Sequence, residues 1–131
     1  MATILLTWLQ NILMNPTKLI SANILGKFSE YLVAAFLIAK FYNVICLRYK
    51  SYTGEIDIIA TRGNVIVFVE VKSRKKLDLS YTIIRNKQIS RIKRTAELYL
   101  QRNNKFNNYS ARFDLMIVSN FFRIEHIKNV W

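Results

Sequence analysis

Cysteine, histidine, proline and glycine are nearly absent from these 131 residues: one, one, one and three copies respectively. A single cysteine, Cys46, excludes an internal disulfide. Lying in the apolar run Val44-Ile45-Cys46-Leu47, it reads as a core residue and fits a reducing, cytoplasmic setting. His126, the one histidine, has no cysteine or second histidine at ligand spacing, so a structural role is expected of it. With one proline and three glycines to interrupt the chain, long regular elements and few irregular loops are predicted. Acids are scarce too: eight Asp and Glu stand against twenty Lys and Arg, a net charge of +12. That excess favours a polyanionic partner, nucleic acid first and an anionic membrane surface second. No Lys or Arg precedes Lys18, so the apolar-rich residues 4–14 lack the basic start of a signal peptide. The other apolar stretch, Tyr31 to Ala39, is far shorter than the roughly 20 residues that span a bilayer. A soluble protein follows as the expectation, with peripheral membrane contact by the first helix as the lesser alternative.

What is present reads as one domain, residues 21–131, behind an N-terminal helical extension of 1–20. Residues 2–14 form a short amphipathic pattern. Asn15-Pro16 offers an N-cap and a first-turn proline for a second helix to about Lys40. Within it, Tyr31–Ala39 is apolar nearly all round and is expected to be buried. Strands are expected at Val44–Tyr49, Glu55–Thr61 and Val65–Lys72, then a basic helix over about Ile84–Arg102. Strands near Arg112–Val118 and Phe122–Ile127, separated by the turn-prone Ser119-Asn120, close the chain. The order α-α-β-β-β-α-β-β predicts an α/β fold, a mixed five-stranded sheet flanked by helices.

The stretch Gly54-Glu-Ile-Asp-Ile-Ile-Ala-Thr-Arg-Gly-Asn-Val-Ile-Val-Phe-Val-Glu-Val-Lys72 carries the chemistry. Gly63-Asn64 suits a two-residue hairpin loop, since both residues tolerate positive φ. Arg62 then faces Val65, which sets Asp57 opposite Glu70 and Glu55 opposite Lys72, each pair on one face with Cβ atoms roughly 5 Å apart. Ile56, Ile58 and Ala60 share the other face with Val65, Val67, Val69 and Val71, which is expected to be buried; the acidic face turns apolar towards the turn with Ile59, Ile66 and Phe68, so the hairpin is expected to be central in its sheet. Two carboxylates held close repel each other unless one is protonated or a cation intervenes, and a hard divalent ion, Mg²⁺ or Mn²⁺, suits oxygen ligands. Lys72, two residues beyond Glu70, can approach the same phosphate. The plainer alternative is an ion-pair ladder, Glu55 with Lys72 and Asp57 or Glu70 with a nearby arginine.

An acid on one strand followed by Glu-x-Lys on the next (Asp57, then Glu70-Val71-Lys72) resembles the restriction-endonuclease-like nuclease fold. Gly26-Lys-Phe-Ser-Glu30, Gly54-Glu-Ile-Asp-Ile-Ile-Ala60, Val67-Phe-Val-Glu-Val-Lys72, Arg112-Phe-Asp114 and Arg123-Ile-Glu-His-Ile127 together resemble the YraN family of inferred endonucleases, over about residues 22–131. The resemblance implies Mg²⁺-dependent phosphodiester hydrolysis of DNA. It implies Asp57, Glu70 and the Val71 carbonyl as metal ligands, with Lys72 as a catalytic partner. Glu30 would reach the metal or its outer shell, as against simple pairing with Lys27 three residues away. Two departures, the first twenty residues and a shorter 73–83 connector lacking glycine and proline, touch none of these acids.

Lys87, Arg91 and Arg94 recur at i, i+4 and i+7 and share a helix face, opposite Ile89, Ile92, Ala96 and Tyr99. With Arg74, Lys75 and Lys76 they are the candidate phosphate-backbone contacts, unless the stripe is a solvated face. Arg112 and Asp114 read as a structural charge pair. Most Tyr and Phe fall at core-facing positions, so base stacking is not expected. The favoured reading is a cytoplasmic metal-dependent DNA endonuclease. The alternatives are a nucleic-acid-binding module of the same fold without turnover, and a protein that docks a partner through its apolar first helix.

Overall fold

The computed structural model describes residues 3, 6, 7, 10, 22–73, 86–119 and 123–131. The Asn15-Pro16 helix start, the Arg74-Lys75-Lys76 run and Asn120 of the expected last turn lie outside the described residues, as does most of the 2–14 helix. The elements are α1 (Ala22–Ala39), β1 (Asn43–Ser51), β2 (Gly54–Arg62), β3 (Val65–Ser73), α2 (Asn86–Arg102), a 3₁₀ turn (Asn104–Phe106), β4 (Ser110–Ser119) and β5 (Arg123–Ile127). The five strands form one sheet in sequence order. Every neighbouring pair is antiparallel except β3 and β4, which run parallel and are joined by the connection containing α2. The mixed α/β fold expected from the sequence is therefore present.

Among the described residues, one helix lies on each face of the sheet. On α1, Val33, Ala34 and Leu37 are fully buried against Ile58, Ala60, Val67, Val69, Met116 and Val118. Burial is narrower than the nearly all-round apolar pattern of Tyr31–Ala39 predicts: Ile38 is 39% exposed, because a helix against one sheet buries one stripe. On the opposite face, Ile92, Ala96 and Tyr99 of α2 pack with Ile59, Ile66, Phe68 and Phe106, while Ile89 covers Leu115 and Ile117. The apolar side of the basic helix is thus the predicted one.

No glycine marks the end of α1. Phe41 takes the left-handed conformation instead (φ 65°), its N–H bonding to Ile38 O and the Tyr42 N–H to Leu37 O. Those two bonds close a Schellman-type cap at a position glycine usually fills. The hairpin loop follows the sequence closely. Arg62 pairs with Val65, and Gly63 (φ 56°) supplies the positive φ that a tight two-residue turn requires.

The departure that shapes the site lies at the other end of the hairpin. The β2–β3 ladder runs from Arg62/Val65 only to Ile58/Val69, after which β2 stays with β1 and β3 with β4. The sheet forks there. At the same level Arg48 adopts a left-handed backbone (φ 54°) between Leu47 and Tyr49, which pair with Ile58 and Ile56. A left-handed residue breaks side-chain alternation: Leu47 and Ile58 join the α1 core, whereas Tyr49 and Ile56 join the α2 core. The expectation that Ile56 shares a face with Ile58 and Ala60 is corrected accordingly. Among the described residues, no helix is long and apolar enough to cross a membrane.

Candidate active site

The fork opens into a cavity of about 550 Å³ lined by Glu30, Arg48, Glu55, Asp57, Glu70, Lys87, Gln88, Arg91 and Ile92. Glu30 arrives from α1, Asp57 from β2, Glu70 from β3 and the cations Lys87 and Arg91 from α2. A sheet that had stayed zipped past Ile58 would have no room there. One backbone donor released by the fork, the Val71 N–H, is taken up by Asp57 Oδ2 at 2.8 Å. That bond fixes the Asp57 carboxylate across the gap, beside Glu70.

Glu70 is 7% exposed. Its Oε1 accepts from two donors at once, Lys72 Nζ at 2.8 Å and Gln88 Nε2 at 2.7 Å. Lys72 therefore pairs with Glu70, not with Glu55. Glu55 turns to β1, 3.3 Å from Arg48 Nε and 3.9 Å from Lys50 Nζ. The predicted Glu55–Lys72 opposition fails because the ladder ends before it, and β2 has switched faces by then. Arg48 also stands 3.5 Å from Glu30 Oε2, so one guanidinium bridges Glu30 and Glu55. Glu30 engages Arg48, not the Lys27 partner considered from sequence alone.

Burial is the largest influence on Asp57, and the neighbouring Glu70 charge adds to it. Against the hydrogen bond from Val71, they push its pKa from the ordinary 3.8 up to about 8. A carboxyl–carboxylate hydrogen bond to Glu70 accompanies this rise. Burial also raises the Glu30 carboxyl; Arg48 opposes this, while Glu55 and Glu70 add to it. The pocket thus retains a proton at neutral pH although cations surround it.

That retained proton gives a direct expectation. Between pH 4 and 8 the folded chain holds a proton on Asp57 that the unfolded chain has released. The stability this confers is complete below the unfolded pKa and is lost as pH rises through about 8. Without divalent ions, urea unfolding should show lower stability at pH 8 than at pH 5. The difference should be at least ~1.4 kcal/mol, the free energy of a tenfold change in proton affinity between folded and unfolded chains. Asp57→Asn should flatten this profile.

Of the expected site residues, Glu30, Asp57, Glu70, Lys87 and Arg91 come together, with Lys72 bound to Glu70. Arg94 lies outside the cavity lining, and Arg74, Lys75 and Lys76 fall outside the described residues. Among the described residues, no group of three or more His, Cys, Asp or Glu side chains is placed to hold one metal ion. The carboxylate pair at the fork is Asp57 and Glu70; Glu30 lines the same cavity and is paired with Arg48. Arg48 and Gln88 were missed in the sequence. Gln88 lies off the Lys87–Arg91–Arg94 stripe, and only the docking of α2 on β3 brings it to Glu70. Arg48 carried no signal, because nothing in Leu47-Arg48-Tyr49 announces a left-handed residue.

The other expected charge pair proves to be a second buried polar cluster. Asp114, fully buried, receives Arg112 through both oxygens at 2.8 Å, His126 Nε2 at 2.7 Å and the Asn129 N–H at 3.0 Å. Arg112 also donates to the Tyr42 hydroxyl at 2.9 Å. The structural roles expected for Arg112, Asp114 and His126 are what these contacts supply.

Comparison with known proteins places the chain among its relatives. The family model described as "Uncharacterised protein family UPF0102" matches residues 29–118. A UPF0102 protein of Ehrlichia ruminantium (strain Gardel) is 38% identical over 117 residues, covering 87% of this chain and 88% of the relative. One from Sinorhizobium medicae (strain WSM419) is 39% identical over 93 residues, 71% of this chain and 76% of the relative. Another, from Rhodopseudomonas palustris (strain BisB5), is 43% identical over 94 residues and 72% of each chain. The matched span holds both strands of the fork, α2 and Glu30, and the chain belongs to the UPF0102 family, the YraN family that its motifs resemble.

Proposed function

We propose that this UPF0102 protein is a metal-dependent endonuclease that hydrolyses phosphodiester bonds in DNA. The observation that carries the reading is the Asp57–Glu70 pair at the fork, in a cavity that Lys87 and Arg91 also line; burial and the neighbouring charge dispose the pair to keep a proton at neutral pH. A hard divalent cation, Mg²⁺ or Mn²⁺, fits two such carboxylates by replacing that proton, with the Val71 carbonyl as a further oxygen donor. Bound there, the ion would supply a Lewis acid that activates water and polarises the scissile phosphate. The chain's own residues do the rest. Lys72 and Gln88 fix the orientation of Glu70, and Lys72 would offset charge developing on the phosphoryl oxygens. Glu30, held by Arg48, would act from the outer edge of the metal site. Lys87 and Arg91 would hold the phosphate backbone against the cavity.

A second reading, a nucleic-acid-binding module without turnover, draws on the lack of a third converging ligand among the described residues. Incubating purified protein with linear, gapped and branched DNAs, with and without Mg²⁺ or Mn²⁺, separates the two. Metal-dependent nicking supports the nuclease; binding without nicking supports the module.

Both readings require contact with phosphates. Each phosphate contact on duplex DNA contributes about 0.9 to the log–log slope of affinity against salt. Lys87→Ala with Arg91→Ala should flatten that slope by about this amount per contact and weaken unrelated sequences equally. Arg94→Ala should change it less. An unchanged slope in the double variant would leave the helix face merely solvated.

A further inference from the structure

The hairpin joining β1 to β2 passes beside the cavity and is built to hold one aromatic side chain in solvent. Its tip, Ser51-Tyr52-Thr53-Gly54, is tied down by a chain of hydroxyls. Ser51 Oγ lies 2.6 Å from Thr53 Oγ1, and Thr53 Oγ1 lies 2.8 Å from Thr95 Oγ1 on α2. Thr95 Oγ1 donates in turn to Arg91 O at 2.8 Å. Gly54 (φ 152°) packs so closely on this helix that a Cβ there would meet Thr95 Oγ1 at 3.1 Å and Arg91 Cβ at 3.7 Å. The tip is therefore docked on Arg91, a residue that lines the cavity. From this anchored turn Tyr52 stands 85% exposed. Phe41 is equally exposed but lies at the opposite end of β1, away from the fork.

An exposed phenol on an anchored turn has an open flat face on which a base can stack. The hairpin that carries Tyr52 also carries Arg48 and Lys50, and the helix it docks on carries Arg91; Arg48 and Arg91 line the cavity with the two acids suited to a metal ion. A phosphate held in the cavity brings its own nucleobase to the rim that this hairpin forms. Inside a duplex that base is stacked on its neighbours and has no open face; in a single strand or gap its face is free.

We infer that Tyr52 is a stacking platform for an unpaired base next to the phosphate bound at the fork, so that single-stranded or gapped DNA is the preferred substrate. This deepens the nuclease reading and rests on it for the position of the phosphate. It departs from the expectation from sequence that no aromatic is set aside for bases.

The test measures binding with the full chain and without turnover, in EDTA and again with Ca²⁺. The probes are a single strand and a gapped duplex carrying 2-aminopurine in the unpaired segment, with a continuous duplex as the comparison. Wild-type protein should bind the unpaired probes more tightly and quench 2-aminopurine. Tyr52→Ala should lose about tenfold in affinity for them, within the range expected for one base–aromatic stack. Tyr52→Trp should restore the affinity, and duplex binding should be unchanged in both variants. Equal binding of the unpaired probes by wild type and Tyr52→Ala would overturn the inference, as would an equal loss on duplex. Because no cleavage is read, a protein that stacks through Tyr52 but never nicks would refute the nuclease while sustaining the platform.

Discussion

Glu70→Gln should abolish cleavage while leaving the protein folded and able to bind DNA. Glutamine keeps the volume of the side chain and its acceptance from Lys72 and Gln88, both of which point at Oε1. It removes the charge that a divalent ion would bind. The loss should be at least the roughly hundred- to thousandfold that follows removal of one preorganised electrostatic partner. Lys72→Ala should fall in the same range, without loss of the ion-binding site, since lysine donates to Glu70 and brings no ligand. DNA affinity in EDTA should not fall in Glu70→Gln, because a negative charge facing phosphate has been removed. Nicking that survives both substitutions would assign the activity to another site or to a contaminant.

The largest effect on stability is expected one strand over from the fork, at Asp114, which faces Val69 across the β3–β4 ladder. Burial pushes this carboxyl upward, but hydrogen bonds from His126, Arg112 and Asn129 outweigh it and hold it below its ordinary value. Asp114→Ala would strand the Arg112 guanidinium beside Tyr42. It would also release His126, whose Nδ1 is buried with no hydrogen-bond partner among the described residues. Breaking a buried pair by removing one member costs about 3–5 kcal/mol, a large share of the roughly 5–15 kcal/mol typical of a domain. Urea unfolding should register that loss. The C-terminal segment should loosen first, since Asp114 holds both His126 and the Asn129 N–H. Metal binding at Asp57 and Glu70 should persist wherever the variant remains folded.

The fork and the Asp114 cluster show how differently sites can be read from sequence. The hairpin register was legible because Gly63-Asn64 suits a tight turn, and period-two alternation carries that register back to Asp57 and Glu70. Asp57 lies one residue past the final ladder pair, Ile58/Val69, so the reading reached the site just before the strands part. Extending the same rule two residues further, to Glu55 and Lys72, failed. Alternation is a property of regular strands, and the left-handed Arg48 ends it. The positions of Lys87 and Arg91 followed from helical spacing, whereas Gln88 required knowing how α2 docks on β3. Asp114 could be paired with Arg112 from their i, i+2 spacing. Its bond to His126 depended on the β4–β5 register, in which Met116 faces His126 and Asp114 lies diagonally across. Glu30 was placed by family resemblance alone. Its helix gives no hint that residue 30 reaches the fork, and its partner there, Arg48, was invisible for the reason already given.

The central claim is that Asp57 and Glu70 form one divalent-ion site at the point where β2 and β3 separate. Titrating Mn²⁺ into the metal-free protein at pH 7, by calorimetry in buffers of different ionisation enthalpy, measures ion binding and proton release together. Wild type should bind one ion at this site and release a proton, because Asp57 carries one at that pH. Asp57→Asn should lose both the site and the proton release. Equal Mn²⁺ binding by wild type and Asp57→Asn, or binding with no proton released, would contradict the claim.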